Sequence, residues 1–263
     1  MARVRLADGV SLNTKIDGAE GRPWIVLSNS LGSNLSMWDG QIEILTRKYR
    51  VLRYDHRGHG ASDVPEGPYS FDLLVSDVIG LMDHFGIRKA DWMGLSMGAM
   101  TGMGLAIHHP DRFGRMVLAD ARADAPDMFK AMWDQRISIV GEGGTEAIAD
   151  GTLGMWLTED WRAANPEATA KVRAMITATD PKGYVACCRG LKDLDYLRHL
   201  GQVSLPILYL GGSEDKGAAP DVMREMARAT PGAAFVEIPN AGHVANINRP
   251  EAFNAAVAAF LGI

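Results

Sequence analysis

Cysteine is almost absent from this sequence. The 263 residues include two, Cys187 and Cys188, side by side. Adjacent cysteines rarely bridge, and nothing shows metal-ligand spacing, so neither a disulfide framework nor a metal site is expected. Two buried thiols in a reducing cytoplasm are the simpler expectation. Basic residues are also in deficit: 27 Lys and Arg against 32 Asp and Glu leave a formal charge of −5. With no basic tract, nucleic acid is not expected as a partner. No apolar run approaches the ~20 residues that a bilayer span needs, so no membrane association is expected. The opening "MARVRLADGVSL" reads as strands and not as a secretory signal.

The remaining composition is that of a globular protein, and the length suits one large α/β domain or a core with an inserted cap. Six short apolar runs end in small or polar residues: "WIVLSNS", "YRVLRYD", "ADWMGL", "RMVLAD", "PILYLGG" and "AFVEIPN". Such runs suit strands buried on both faces of a parallel sheet. Amphipathic stretches lie between them. In "SFDLLVSDVIGLMDHFG", Leu74, Val78, Leu81, Met82 and Phe85 fall at helical spacing before Gly86. Two leading strands around Asp8-Gly9 look like an antiparallel hairpin at the sheet edge. The alternation stops between about Arg122 and Gly201, where Trp, Met and helix formers dominate. The expectation is a mostly parallel eight-stranded sheet flanked by helices. Its core is formed by residues 1–121 and 202–263, with a helical cap inserted at 122–201.

"WMGLSMGAM" contains the pattern Gly-X-Ser-X-Gly, with Ser96 between a predicted strand and a predicted helix. That context makes Ser96 a candidate nucleophile on a sharp turn, with Gly94 and Gly98 leaving room for the bend. The alternative is a bystander serine in a tight turn. A serine nucleophile needs a base. Of seven histidines, His243 sits in "PNAGHVANINRPEAF", after the last strand and at the carboxyl end of the sheet. His56 and His59, in "DHRGHGAS", read as part of a glycine-rich turn. The imidazole needs an orienting acid. Asp215 in "GGSEDKGAAP" is favoured, with Glu214 and Asp120 as alternatives. The order Ser96, Asp215, His243 is the one that this kind of sheet requires. In "LSNSLGSN", the N–H of Leu31, together with that of Met97, is the candidate donor set for an oxyanion hole.

"SNSLGSNLSMWDGQ", "YDHRGHGAS", "GLSMGAM", the "GGSED…NAGH" tail and "GYVACCRGLKDLD" together resemble the 3-oxoadipate enol-lactonases, which have the α/β-hydrolase fold. The resemblance covers nearly the whole chain and places the family's serine, acid and histidine on Ser96, Asp215 and His243. It implies hydrolysis of a carboxylic ester or lactone through an acyl-serine, with no metal or organic cofactor. The chain departs from the resemblance at one place. Where those lactonases carry Arg-Trp-Phe-Thr, this sequence reads "MWLT", Met155–Thr158. An arginine there would pair with a substrate carboxylate. Met155 and Trp156 offer apolar surface instead, and Arg136 is the candidate replacement cation. Two alternatives stay open: a carboxylesterase for neutral or oligomeric hydrophobic esters, and a ligand-binding receptor with little turnover. The sequence also leaves a homo-oligomer open.

Overall fold

The computed structural model describes residues 1–263. In chain order its elements are β1 (Ala2–Arg5), β2 (Ser11–Asp17), β3 (Trp24–Ser28), α1 (Asp39–Leu45), β4 (Arg50–Tyr54), α2 (Phe71–His84), β5 (Ala90–Leu95), α3 (Met97–His108) and β6 (Phe113–Ala119). Five helices follow: α4 (Asp127–Gly143), α5 (Ala149–Trp156), α6 (Glu159–Ala164), α7 (Pro166–Thr177) and α8 (Pro181–Leu191). The chain then returns through β7 (Ile207–Gly212), α9 (Pro220–Ala229), β8 (Ala234–Ile238), α10 (Ala245–Asn248) and α11 (Pro250–Leu261).

The strands form one eight-stranded sheet in the order β1-β2-β4-β3-β5-β6-β7-β8. β1 and β2 form the expected hairpin, and β2 also runs antiparallel to β4. All other pairs are parallel. Successive side chains on a strand point to opposite faces, and the core divides accordingly. Trp92 belongs to one apolar cluster and its neighbour Met93 to another. β7 is buried throughout, as its uninterrupted apolar run predicts.

β8 departs from the expectation of strands buried on both faces. Only Ile238 of its five residues is fully buried. The reason is positional: β8 is the last strand of the sheet and pairs only with β7. Between β6 and β7 the chain is helical, with one isolated bridge between Asp124 and Asp195 as its only β pairing. No helix is long and apolar enough to cross a membrane.

α2 illustrates how the sequence sets an element. The Ser70 hydroxyl accepts the N–H of Leu73 and caps the start. Leu74, Val78, Leu81 and Met82 are buried along one stripe, and Gly86 follows in a left-handed conformation. α3 differs: Met97–Ala106 are buried all round, so this helix lies inside the molecule. From β3 the chain passes to β4 on one side and later to β5 on the other. That reversal leaves a crevice at the carboxyl ends of β3 and β5, the usual place for a ligand in an open α/β sheet.

Candidate active site

Ser96 sits at that crevice, between the last residue of β5 and the first of α3. Its backbone has φ 54° and ψ −116°. A residue with a Cβ pays ~1–3 kcal/mol for such a conformation and keeps it only where the surroundings enforce it. Here the Ser96 N–H donates to the Ala119 carbonyl at 2.8 Å, and the Ser96 carbonyl accepts the N–H of Met100 at 2.9 Å. The two motif glycines let the backbones close in. A Cβ on Gly94 would lie 2.3 Å from the Gly98 carbonyl oxygen, and one on Gly98 would lie 2.1 Å from that of Ser28. Neither position has room for any side chain.

The Ser96 Oγ lies 2.9 Å from Nε2 of His243, and Nδ1 of His243 lies 2.8 Å from Oδ2 of Asp215. An ionised carboxylate can only accept, so Nδ1 carries the proton and Nε2 offers its lone pair to the serine. The other oxygen of Asp215 accepts the N–H groups of Gly217 at 2.7 Å and Ala218 at 3.0 Å. Burial opposes the charge on Asp215. The facing imidazole and these N–H groups outweigh it and hold the carboxyl below its usual range. For His243, burial disfavours the cation, but Asp215 outweighs it and moves the pKa up; Asp120 adds to that pull and Arg136 works against it.

The two alternative acids stand elsewhere. Glu214 is exposed. Asp120 is fully buried just after β6, with φ 48°, and accepts the N–H of Gly212 at 2.8 Å and of Ala245 at 3.3 Å. Burial, and then the charge of Asp215, push the Asp120 pKa well above the carboxylate range. Asp120 thus joins the end of β7 to the start of α10, next to the loops that carry Asp215 and His243.

Leu31, in the loop after β3, lines the same cleft as Ser96, and its N–H donates to no atom of the fold. Met97 is the first residue of α3, where an N–H has no acceptor within the helix. The enclosed volume of the cleft is small, about 60 Å³. Phe129, Met132, Trp133, Met155 and Trp156 give it apolar walls, and Arg136 gives it a cation. Nε of Arg136 donates to the Tyr184 hydroxyl at 3.0 Å, and Nη2 donates to the Thr152 hydroxyl. Both of these partners are neutral. No cluster of three or more His, Cys, Asp or Glu side chains is arranged to hold a metal.

Sequence reasoning placed Met155 and Trp156 at the substrate, and their side chains do line the cleft. It missed what their backbone does. The Met155 carbonyl accepts the N–H of His243, and the Trp156 carbonyl accepts that of Val244, both at 3.2 Å. The buried Asn248 side chain completes the junction, with Oδ1 accepting the N–H of Gly242 at 2.7 Å and of Thr158 at 3.2 Å. A Cβ on Gly242 would lie 2.6 Å from the Trp156 carbonyl oxygen, so glycine allows this approach. Carbonyl contacts of this kind leave no signature in the residue types of 155 and 156.

Known proteins share this architecture. A family model described as alpha/beta hydrolase fold matches residues 23–250. The chain is 37% identical to 3-oxoadipate enol-lactonase 2 of Acinetobacter baylyi, over 97% of its own length and 94% of that protein. The crystal structure of an enol-lactonase from Burkholderia xenovorans LB400 superposes with a TM-score of 0.96 at 39% identity, each chain covered in full. A thermophilic esterase from Thermogutta terrifontis, solved with malate bound, superposes with a TM-score of 0.93 at 29% identity, covering all of this chain and 98% of that one. With its sheet order, its serine turn and these matches along almost its whole length, the chain belongs to the α/β-hydrolase family.

Proposed function

We propose that the protein opens a small enol-lactone of the 3-oxoadipate type, using Ser96 as nucleophile, His243 as base and Asp215 as the orienting acid. One observation carries the reading: an unbroken chain of hydrogen bonds from Ser96 through His243 to Asp215 faces a cleft whose cation, Arg136, has no acidic partner. The enol-lactonase names of its relatives point to the same substrate class.

Ser96 Oγ attacks the lactone carbonyl as its proton passes to Nε2 of His243. Asp215 stabilises the resulting imidazolium, and the N–H groups of Leu31 and Met97 receive the alkoxide. Collapse of the tetrahedral intermediate breaks the ring C–O bond, and His243 protonates the departing enol oxygen. The enol stays tethered through the acyl chain and becomes a ketone. Water then loses a proton to His243, attacks the acyl carbonyl and releases the acid and Ser96. During both halves Arg136 pairs with the free carboxylate of the substrate, replacing the arginine that the enol-lactonases carry at the place of Met155.

A second reading has one observation in its favour: Met155 leaves that wall of the cleft apolar. It makes the protein a carboxylesterase for neutral esters. Initial rates on 3-oxoadipate enol-lactone beside neutral esters of graded chain length test the two. A kcat/KM for the lactone that exceeds every neutral ester supports the first reading, and the reverse order replaces it with the second. A single stoichiometric burst without turnover on an activated aryl ester would instead indicate a receptor.

A further inference from the structure

The segment "DHRGHGAS" contributes nothing to the chain from Ser96 to Asp215, yet it grips the loop that bears Leu31. The N–H of Gly32 donates to Nε2 of His59 at 3.0 Å. The other ring nitrogen, Nδ1, lies 3.2 Å from the carbonyl oxygen of Arg57. An N–H only donates and a carbonyl only accepts, so the lone pair is on Nε2 and the proton on Nδ1. These partners admit one neutral tautomer and no other form of the ring. His59 is 1% exposed. Burial disfavours its cation and prevails over the opposing pull of the Arg57 carbonyl and the Asp55 carboxylate, so its pKa is lowered.

Neighbouring groups hold the ring in place. His56 packs nearly edge-on to it, with centroids 6.2 Å apart. Asp55 is engaged with the same loop farther along, where Oδ1 accepts the N–H of Leu35 at 2.7 Å. Gly32 itself has φ 76°. Glycine has little intrinsic preference there, so the orientation of the Leu31–Gly32 peptide has to come from a partner. His59 is that partner. Leu31, which lines the cleft, is left with an N–H that has no acceptor within the fold.

We infer that His59 is a positioning residue for the oxyanion: by holding the Gly32 N–H, its Nε2 lone pair anchors the chain immediately after Leu31 and so restrains the preceding Ser30–Leu31 peptide, which carries the Leu31 N–H, before negative charge develops. The inference rests on the proposed acyl-serine mechanism. Removing an oxyanion donor outright costs ~10²–10³ in rate. Loosening one should cost less, about ten- to a hundredfold in kcat, with KM nearly unchanged because the ground-state carbonyl carries little charge.

The test compares His59→Leu, His59→Gln and His59→Asn. Each is measured for kcat and KM on an aryl ester and for inhibition by an alkyl trifluoromethyl ketone, whose adduct with Ser96 carries an oxyanion. Gln can place an oxygen near Nε2, whereas Asn places its amide near Nδ1 and leaves Gly32 unpaired. The expected result is a fall in kcat and a matching rise in the ketone Ki for Leu and Asn, with both largely restored in Gln. A folded Leu variant with kcat and Ki within about twofold of the parent overturns the inference. Equal losses in Gln and Asn overturn it too, and that comparison decides the matter if the Leu variant does not fold. Ser96→Ala serves as the control. If it keeps turnover, the mechanism itself is wrong whatever His59 does.

Discussion

Asp120 and Asp215 follow neighbouring strands, β6 and β7, and only Asp215 bonds to the imidazole of His243. Asp120 directs both oxygens at backbone N–H groups, one at the end of β7, just before the loop of Asp215, and one at the start of α10, just after the loop of His243. Two buried carboxyls side by side cannot both ionise readily. Their surroundings divide the roles: N–H donors and the imidazole favour the charged form of Asp215, whereas burial and the Asp215 charge push the Asp120 pKa up.

Asp215→Asn should therefore lower kcat by about 10³–10⁴, the scale seen when a histidine loses its orienting acid. Asp120→Asn keeps one acceptor but turns an NH₂ toward a backbone donor, costing ~1–3 kcal/mol of stability. It should lower Tm and reduce kcat far less. Glu214→Gln should change neither. Steady-state rates and thermal melts on the three variants check this, and a larger loss of kcat for Asp120 than for Asp215 would move the acid to β6.

Removing the Ser96 hydroxyl should leave the fold intact, because its one hydrogen bond is to the His243 imidazole, which Asp215 also holds. Ser96→Ala is expected to lose at least about 10³ in kcat while its melting curve matches the parent. Turnover close to that of the parent in a well-folded variant would end the nucleophile assignment.

The pH profile has a defined sign. His243 acts as a base only when neutral, and its folded pKa is raised above the ordinary value of about 6.5. Activity is present above that raised pKa and lost as pH falls through it, so the acid limb of kcat/KM should have its midpoint above 6.5. Arg136 disfavours the imidazolium, so Arg136→Ala should move the limb to higher pH. A limb that stays put or moves down would show that the two groups do not interact.

Substrate charge should be read at Arg136. A charge-assisted hydrogen bond contributes ~1.5–3 kcal/mol, roughly ten- to a hundredfold in kcat/KM at ~1.4 kcal/mol per decade. Arg136→Ala should cost that factor on a carboxylate-bearing lactone and little on a neutral ester. Met155→Arg should leave the neutral ester unchanged or worse. If neither variant alters the ratio between the two substrates, charge is not recognised at these positions.

Gly242→Ala introduces a Cβ against the Trp156 carbonyl. Overpacking of this kind costs ~1–3 kcal/mol. Both Tm and kcat should fall, because the same carbonyls position the His243 loop. A variant with parental Tm and kcat would show that the junction yields.

The sheet was largely legible because buried parallel strands leave unbroken apolar runs, and β5 begins and ends where its run does. β8 misled for the same reason. Its short run resembles a buried strand, whereas exposure depends on its rank in the sheet. The line from Ser96 through His243 to Asp215 was readable from residue types in order. The choice between Asp120 and Asp215 was less so, since both stand at strand ends and only loop geometry separates them. His59 could not be read at all as a partner of Gly32, because that contact joins two loops far apart in the chain and one side of it is a backbone N–H.

The carbonyls of Met155 and Trp156 make α5 part of the frame that holds the base. Swinging α5 outward as a rigid door would break the hydrogen bonds from its carbonyls to His243 and Val244, so its main chain is tied to the loop that bears the imidazole. The same arrangement separates two kinds of change. Every amino acid has a carbonyl, so substitutions at 155 and 156 can reshape the wall of the cleft without disturbing the support of the imidazole. Exchange of arginine for methionine at 155 thus changes the wall of the cleft and leaves this backbone support in place.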